Sequence, residues 1–155
     1  MSSELSPANM TGGQLESAHI LLVEDDTGDV ALTVDELLEC RLGNRITVLN
    51  NGLHAIDYLE RREPYQDAAT PDILLLDLSL PGVDGRVVLD RVLINPELAN
   101  LTVVVLTASR VEEQMLRDFG VPARFYLQKP VDFRQLVALI RSVDGLGLAV
   151  HRETP

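Results

Sequence analysis

The sequence predicts an α/β domain: a doubly wound parallel sheet of five strands, each followed by a helix, in a (βα)5 chain. Short continuous apolar runs, as strands buried on both faces require, alternate with stretches whose apolar residues recur at helical period. The 155 residues make about one domain, and 46% hydrophobic with 24% charged residues suits a compact fold with a sizeable core.

Taken in order, the first run spans residues 20–23 and precedes the helical stripe Val30, Val34, Leu37 and Leu38. The second, 45–49, precedes Ile56 and Leu59, and the third, 72–76, precedes Val88, Val92 and Leu93. The fourth, 101–106, is followed by Met115, Leu116 and Phe119. The fifth, 123–127, leads into Phe133, Leu136, Val137, Ile140 and Val143, with Asp132 ahead of them as an N-cap. Outside this core, residues 1–18 are polar and lack apolar periodicity, which reads as a flexible arm before a domain over 19–143. A short extension, 144–155, has Leu146, Leu148 and Val150 alternating as in a half-buried strand and leaves no room for an effector domain. The polar, proline-bounded connection 61–71 is long for this architecture and reads as a contact loop.

Thirteen basic residues against 24 acidic ones give a formal charge of −11, which disfavours nucleic acid and anionic membranes as partners and points to proteins or cations. The single Cys40 forms no internal disulfide, no Cys/His spacing suits zinc, and no apolar run reaches a bilayer-spanning length. A soluble protein of a reducing cytoplasm is expected. His19, His54 and His151 are scattered and read as surface or strand-edge residues.

In such a sheet ligands bind outside the carboxyl ends of the strands. There the sequence places Glu24-Asp25-Asp26 after strand one, Asp77 at strand three, Thr107 at strand four and Lys129-Pro130 after strand five. Converging carboxylates repel one another unless a cation neutralises them, and all-oxygen ligation suits Mg2+. A carboxylate also serves as a nucleophile in phosphoryl transfer, with a lysine and a hydroxyl to stabilise the transferred group; Asp77, Lys129 and Thr107 fit those roles. Singly, Glu24 to Asp26 read equally well as a solvated capping turn, while Thr107 reads better as a strand end and Tyr126 as core. Their joint spacing decides: Thr107 lies 30 residues after Asp77, Lys129 lies 22 after Thr107, and Lys129 is the only lysine in the chain.

Leu22-Val23-Glu24-Asp25-Asp26, Leu76-Asp77-Leu78-Ser79-Leu80-Pro81-Gly82-Val83-Asp84-Gly85, Leu106-Thr107-Ala108 and Lys129-Pro130 together resemble the receiver domain of two-component response regulators. The resemblance implies a flavodoxin-like strand order 2-1-3-4-5 and a phosphoryl group accepted on Asp77 from a histidine kinase. Asp25, Asp77 and the Ser79 backbone carbonyl would hold Mg2+, with Glu24, where an aspartate is commoner, assisting through water. Lys129 would pair with the phosphorylated carboxylate, Thr107 would hydrogen-bond a phosphoryl oxygen, and Tyr126 would be the switch aromatic. A cis peptide at Lys129-Pro130 is implied, Ser79 and Ser109 would set phosphate lifetime, and Pro81-Gly82 and Asp84-Gly85 supply turns. The resemblance assigns Asp26 no role.

Arg62-Glu63-Pro64-Tyr65, Asn95-Pro96-Glu97-Leu98, the long connection and the short extension further resemble small regulators paired with phytochrome-type histidine kinases. The implied partners are such a kinase, a downstream protein or histidine phosphotransfer protein, and a second copy of the chain through helix four, strand five and helix five. A phosphorelay intermediate and a phosphorylation-independent pseudo-receiver stand as alternatives. An aspartyl-phosphate hydrolase is disfavoured, because Ser79 stands where such enzymes carry a second acid.

Overall fold

The computed structural model describes residues 19–39, 45–78, 85–118, 125–129 and 131–142. The expectations for the N-terminal arm, Cys40, Ser79, the 81–84 turn, Phe119, the Lys129-Pro130 peptide, Val143, the C-terminal extension and His151 lie outside them.

Five parallel strands, β1 (His19–Val23), β2 (Arg45–Leu49), β3 (Ile73–Asp77), β4 (Thr102–Thr107) and β5 (Phe125–Gln128), form one sheet in the order β2-β1-β3-β4-β5. Five helices alternate with them: α1 (Thr27–Glu39), α2 (Gly52–Leu59), α3 (Gly85–Leu93), α4 (Arg110–Asp118) and α5 (Phe133–Arg141). This is the predicted α/β architecture and strand order. β2 coincides with its apolar run, and the limits of the other four strands differ from theirs by one or two residues; β3 ends on Asp77 itself, the strand-end position expected for that acid.

The residues of β1, β3 and β4 alternate between two cores, as the two-residue period of a strand dictates. On one face Leu21, Val23, Leu74, Leu76, Val103 and Val105 pack with Ala55, Ile56 and Leu59 of α2, Val88, Leu89 and Val92 of α3 and Leu116 of α4. On the other, Ile20, Leu22, Ile73, Leu75, Val104 and Leu106 meet Leu37 of α1 and Leu136 of α5, with Val30, Val34 and Val137 partly buried beside them. Three residues assigned to core stripes are exposed instead: Leu38 (53%), Leu93 (42%) and Met115 (49%). Each adjoins a buried residue, Leu37, Val92 or Leu116, and one step along a helix turns a side chain through about 100°, away from the sheet.

His19 also departs from expectation. It is buried, because β1 is an interior strand with β2 and β3 on either side. Its Nε2 lies 3.0 Å from Thr47 Oγ1 and 3.3 Å from Tyr58 Oη. Burial, and then the nearby Arg45 charge, lower its pKa, while Asp72 opposes them. His54 is exposed, as expected. The 61–71 connection is fastened to the domain: Tyr65 packs edge-on to Tyr58 at 5.3 Å, and Arg61 Nη2 donates to Thr70 Oγ1 at 2.9 Å. Among the described residues, no helix is long and apolar enough to cross a membrane.

Candidate functional site

Sheet order assembles the site. β3 lies between β1 and β4, so the residues that leave the carboxyl ends of these strands meet around Asp77. Val23 pairs with Leu76, which sets Glu24 beside Asp77; Asp77 pairs with Leu106, which puts Thr107 one step beyond; Thr107 pairs with Gln128, which delivers Lys129. The Glu24 amide donates to Leu49 O at 3.1 Å, and the Lys129 amide to Thr107 O at 2.8 Å, so the backbone on both sides of the site is held by the sheet.

Glu24 and Asp77 are each only 2% exposed, whereas Asp25 is open to solvent. One carboxylate oxygen from each of the three lies within 4.8 Å of the others. Two buried carboxylates side by side are costly unless paired. Lys129 supplies the pairing: its Nζ lies 3.0 Å from Asp77 Oδ2, 3.2 Å from Glu24 Oε1 and 3.2 Å from Asp29 Oδ2. Burial, reinforced by the hydrogen bond and charge of Asp77, pushes the Glu24 pKa up to about 7. Burial works against the Lys129 charge, but Asp77, Glu24 and Asp29 overcome it and hold the ammonium well above its usual range.

This donor set fits a divalent cation. It is all oxygen, it is anionic beyond what one lysine neutralises, and Asp25 leaves one side accessible. Thr107 supplies a separate sign of a polar ligand. Its hydroxyl is fully buried, yet Oγ1 has no hydrogen-bond partner among the described residues, an arrangement that costs about 1–3 kcal/mol until an acceptor or donor arrives.

Three further residues shape the site: Asp26 and Gly85, which the sequence offered as capping and turn residues, and Asp29, which it left unassigned. Asp26 is the N-cap of α1: its Oδ1 accepts from the Asp29 amide at 2.9 Å and its carbonyl from Val30 at 2.9 Å. Asp29, in the first turn of α1, reaches Lys129; its spacing of four from Asp25 was the available signal. Gly85 packs on the end of β3, where a Cβ would lie 2.6 Å from both Asp77 O and Leu78 Cα. Ser109 caps α4, accepting from the Glu112 amide at 3.1 Å while Glu112 Oε1 accepts from Ala108 N at 3.0 Å, a variant of the S-x-x-E capping box readable in Ser109 to Glu112. Tyr126, half-buried on β5, lies under the Arg117 guanidinium of α4, 4.3 Å from its ring centre, and Arg117 is itself paired with Glu113 at 2.9 Å.

A family model described as the response regulator receiver domain matches residues 20–141. Response regulator Rcp1 of Synechocystis sp. is 33% identical over 129 residues, covering 83% of this chain and 88% of its own. A solved structure of that protein in its Mn(2+)-bound form superposes with a TM-score of 0.69 at 32% identity, covering 84% of this chain and 94% of the other. The bacteriophytochrome response regulator RtBRR superposes at 0.76 with 34% identity, covering 89% and 91% of the two chains. The phosphorylated cyanobacterial phytochrome response regulator RcpA superposes at 0.70 with 31% identity, covering 80% and 89%. Acidic strand ends, a lysine after β5 and a buried threonine at β4 thus occur in a chain that matches these proteins along most of its length, and it belongs to the response regulator receiver domain family, among relatives that include phytochrome response regulators.

Proposed function

We propose that Asp77 accepts a phosphoryl group from a histidine kinase of the phytochrome type and that the domain signals by a changed protein-binding face. One observation carries the reading. A lysine ammonium stands 3.0 Å from a buried carboxylate at the end of β3, within a cluster of acids suited to a hard divalent cation. In the transfer, an Asp77 oxygen attacks phosphorus as the bond from phosphorus to the kinase histidine nitrogen breaks, and the imidazole leaves with the electron pair.

Asp25, Asp77 and the Ser79 carbonyl would hold Mg2+, with Glu24 assisting through water. When bound, the ion neutralises charge on the transferring phosphoryl oxygens. Lys129 balances the charge that accumulates on the phosphorylated side chain, and the Thr107 hydroxyl gains the acceptor it lacks. Tyr126 on the neighbouring strand reads that change, in a groove of about 660 Å3 lined by Arg110, Glu113, Tyr126, Gln128 and Gln135. That face of α4, β5 and α5 would meet a second copy of the chain, a downstream protein or a histidine phosphotransfer protein. Ser79 and Ser109, both small, leave water access to the acyl phosphate and would set its lifetime. The relatives named for phytochrome signalling support the kinase class, and the phosphorylated RcpA structure supports the chemistry.

Intact mass after incubation with Mg2+ and acetyl phosphate tests the reading. The wild type gains one phosphoryl group and loses it with time, and Asp77→Asn gains none. An unmodified wild type that also fails to bind beryllofluoride with Mg2+ would leave only the pseudo-receiver.

A further inference from the structure

A lysine ammonium has three N–H donors. Lys129 has three carboxylate partners: Asp77 at 3.0 Å, Glu24 at 3.2 Å and Asp29 at 3.2 Å. Two of the three, Glu24 and Asp77, belong to the carboxylate cluster suited to a cation; Asp29, on the first turn of α1, stands outside it. Once Glu24 and Asp77 turn their charge toward a divalent ion, their attraction for the ammonium falls and the ion's own charge repels it. A side chain with four rotatable methylenes, a quarter exposed, would then swing into water unless another anion holds it. Asp29 is that anion. The Asp29 amide is held by the Asp26 cap at 2.9 Å, so the helix start fixes the backbone from which its carboxylate reaches Lys129.

We propose that Asp29 is a positioning residue that anchors one N–H of Lys129 in the metal-loaded protein, leaving the other two directed at the acceptor carboxylate for an incoming phosphoryl group. The consequence for transfer rests on the function proposed above; the anchoring itself does not. The two-carboxylate grip of Glu24 and Asp77 dominates without metal, and the Asp29 contact dominates with it.

Because Lys129 is the only lysine in the full chain, isotopic labelling of lysine at Cε and Nζ yields a single side chain to follow by NMR. In wild type its relaxation reports an ordered side chain both without metal and with saturating Mg2+. In Asp29→Asn it stays ordered without metal, which also shows the variant folded, and becomes as mobile as a free surface lysine with Mg2+. Asp29→Glu restores part of the order, whereas Asp35→Asn, which removes the same charge from an exposed position on α1, has no effect. At saturating Mg2+ the rate of phosphorylation of Asp29→Asn by acetyl phosphate falls about two- to five-fold, the scale expected of an ion pair this exposed. An ordered lysine in Mg2+-loaded Asp29→Asn overturns the proposal, as does a lysine already mobile in that variant without metal. If wild type takes up no phosphoryl group and binds no beryllofluoride with Mg2+, the function proposed above fails, and the NMR comparison still decides the role of Asp29.

Discussion

A carboxylate buried against another carboxylate holds its proton more tightly, and Glu24 shows the result, with its pKa pushed from 4.5 up to about 7 by burial and by Asp77. Its folded-state pKa lies above its unfolded one, so protonated Glu24 favours the fold. That contribution is complete below the unfolded value of 4.5 and is lost as the pH rises through about 7. A cation binds the ionised form and reverses the penalty. The thermal midpoint of the metal-free protein should therefore fall between about pH 5 and pH 8, and the stabilisation conferred by Mg2+ should grow over the same interval. Glu24→Gln should flatten both trends. Scanning calorimetry across that range, with and without Mg2+, decides it: a wild-type Mg2+ effect independent of pH would place the coupling elsewhere.

At the scale of elements, α3 approaches the end of β3 so closely that no side chain fits at its first residue. A Cβ on Gly85 would meet Asp77 O and Leu78 Cα at 2.6 Å, and both are backbone rather than the flexible tip of a side chain. Gly85→Ala must move either α3 or Asp77 and Leu78 at the end of β3. We expect a loss of about 2 kcal/mol or more in urea unfolding, on the scale of overpacking a core, together with weaker Mg2+ binding because Asp77 shifts relative to Glu24 and Asp25. Unchanged stability and metal affinity would mean that the helix start is compliant. The N-terminal caps act at the same scale. Asp26 fixes the start of α1 and thereby the reach of Asp29, while Ser109 with Glu112 fixes the start of α4 immediately after Thr107.

At the scale of the whole molecule, the two cores hold the sheet from both faces, and Glu24, Asp25 and Asp77 meet at the carboxyl ends of its strands. The chain carries a net charge of −11, so two copies attract only where the surface is locally balanced or uncharged. The groove between α4, β5 and α5 has that character: Arg110, Gln114, Gln128 and Gln135 line it alongside Glu113 and Lys129. A dimer through this face should appear by light scattering, with or without beryllofluoride, and Gln135→Glu should weaken it by adding like charge. A monomeric mass in both states would remove the second copy from the list of partners.

The alternation of apolar runs and helical stripes was enough to determine five strands, five helices and the α/β class, because burial on both faces of a parallel sheet forces that pattern into local sequence. Glu24, Asp25, Asp77, Thr107 and Lys129 were legible for a related reason: each sits at or just past a strand end, and their spacing along the chain follows from the lengths of the units between them. Tertiary structure decided what depends on contacts between distant segments. Leu38, Leu93 and Met115 turn outward because a helix has one line of closest approach to the sheet, which their neighbours occupy. His19 is buried because β1 is interior, a consequence of strand order rather than of its neighbours in sequence. Gly85 and Asp29 acquire their roles only where α3 meets β3 and α1 meets the residue after β5, since a close approach and an ion pair are set by the distance between atoms, not by their separation along the chain.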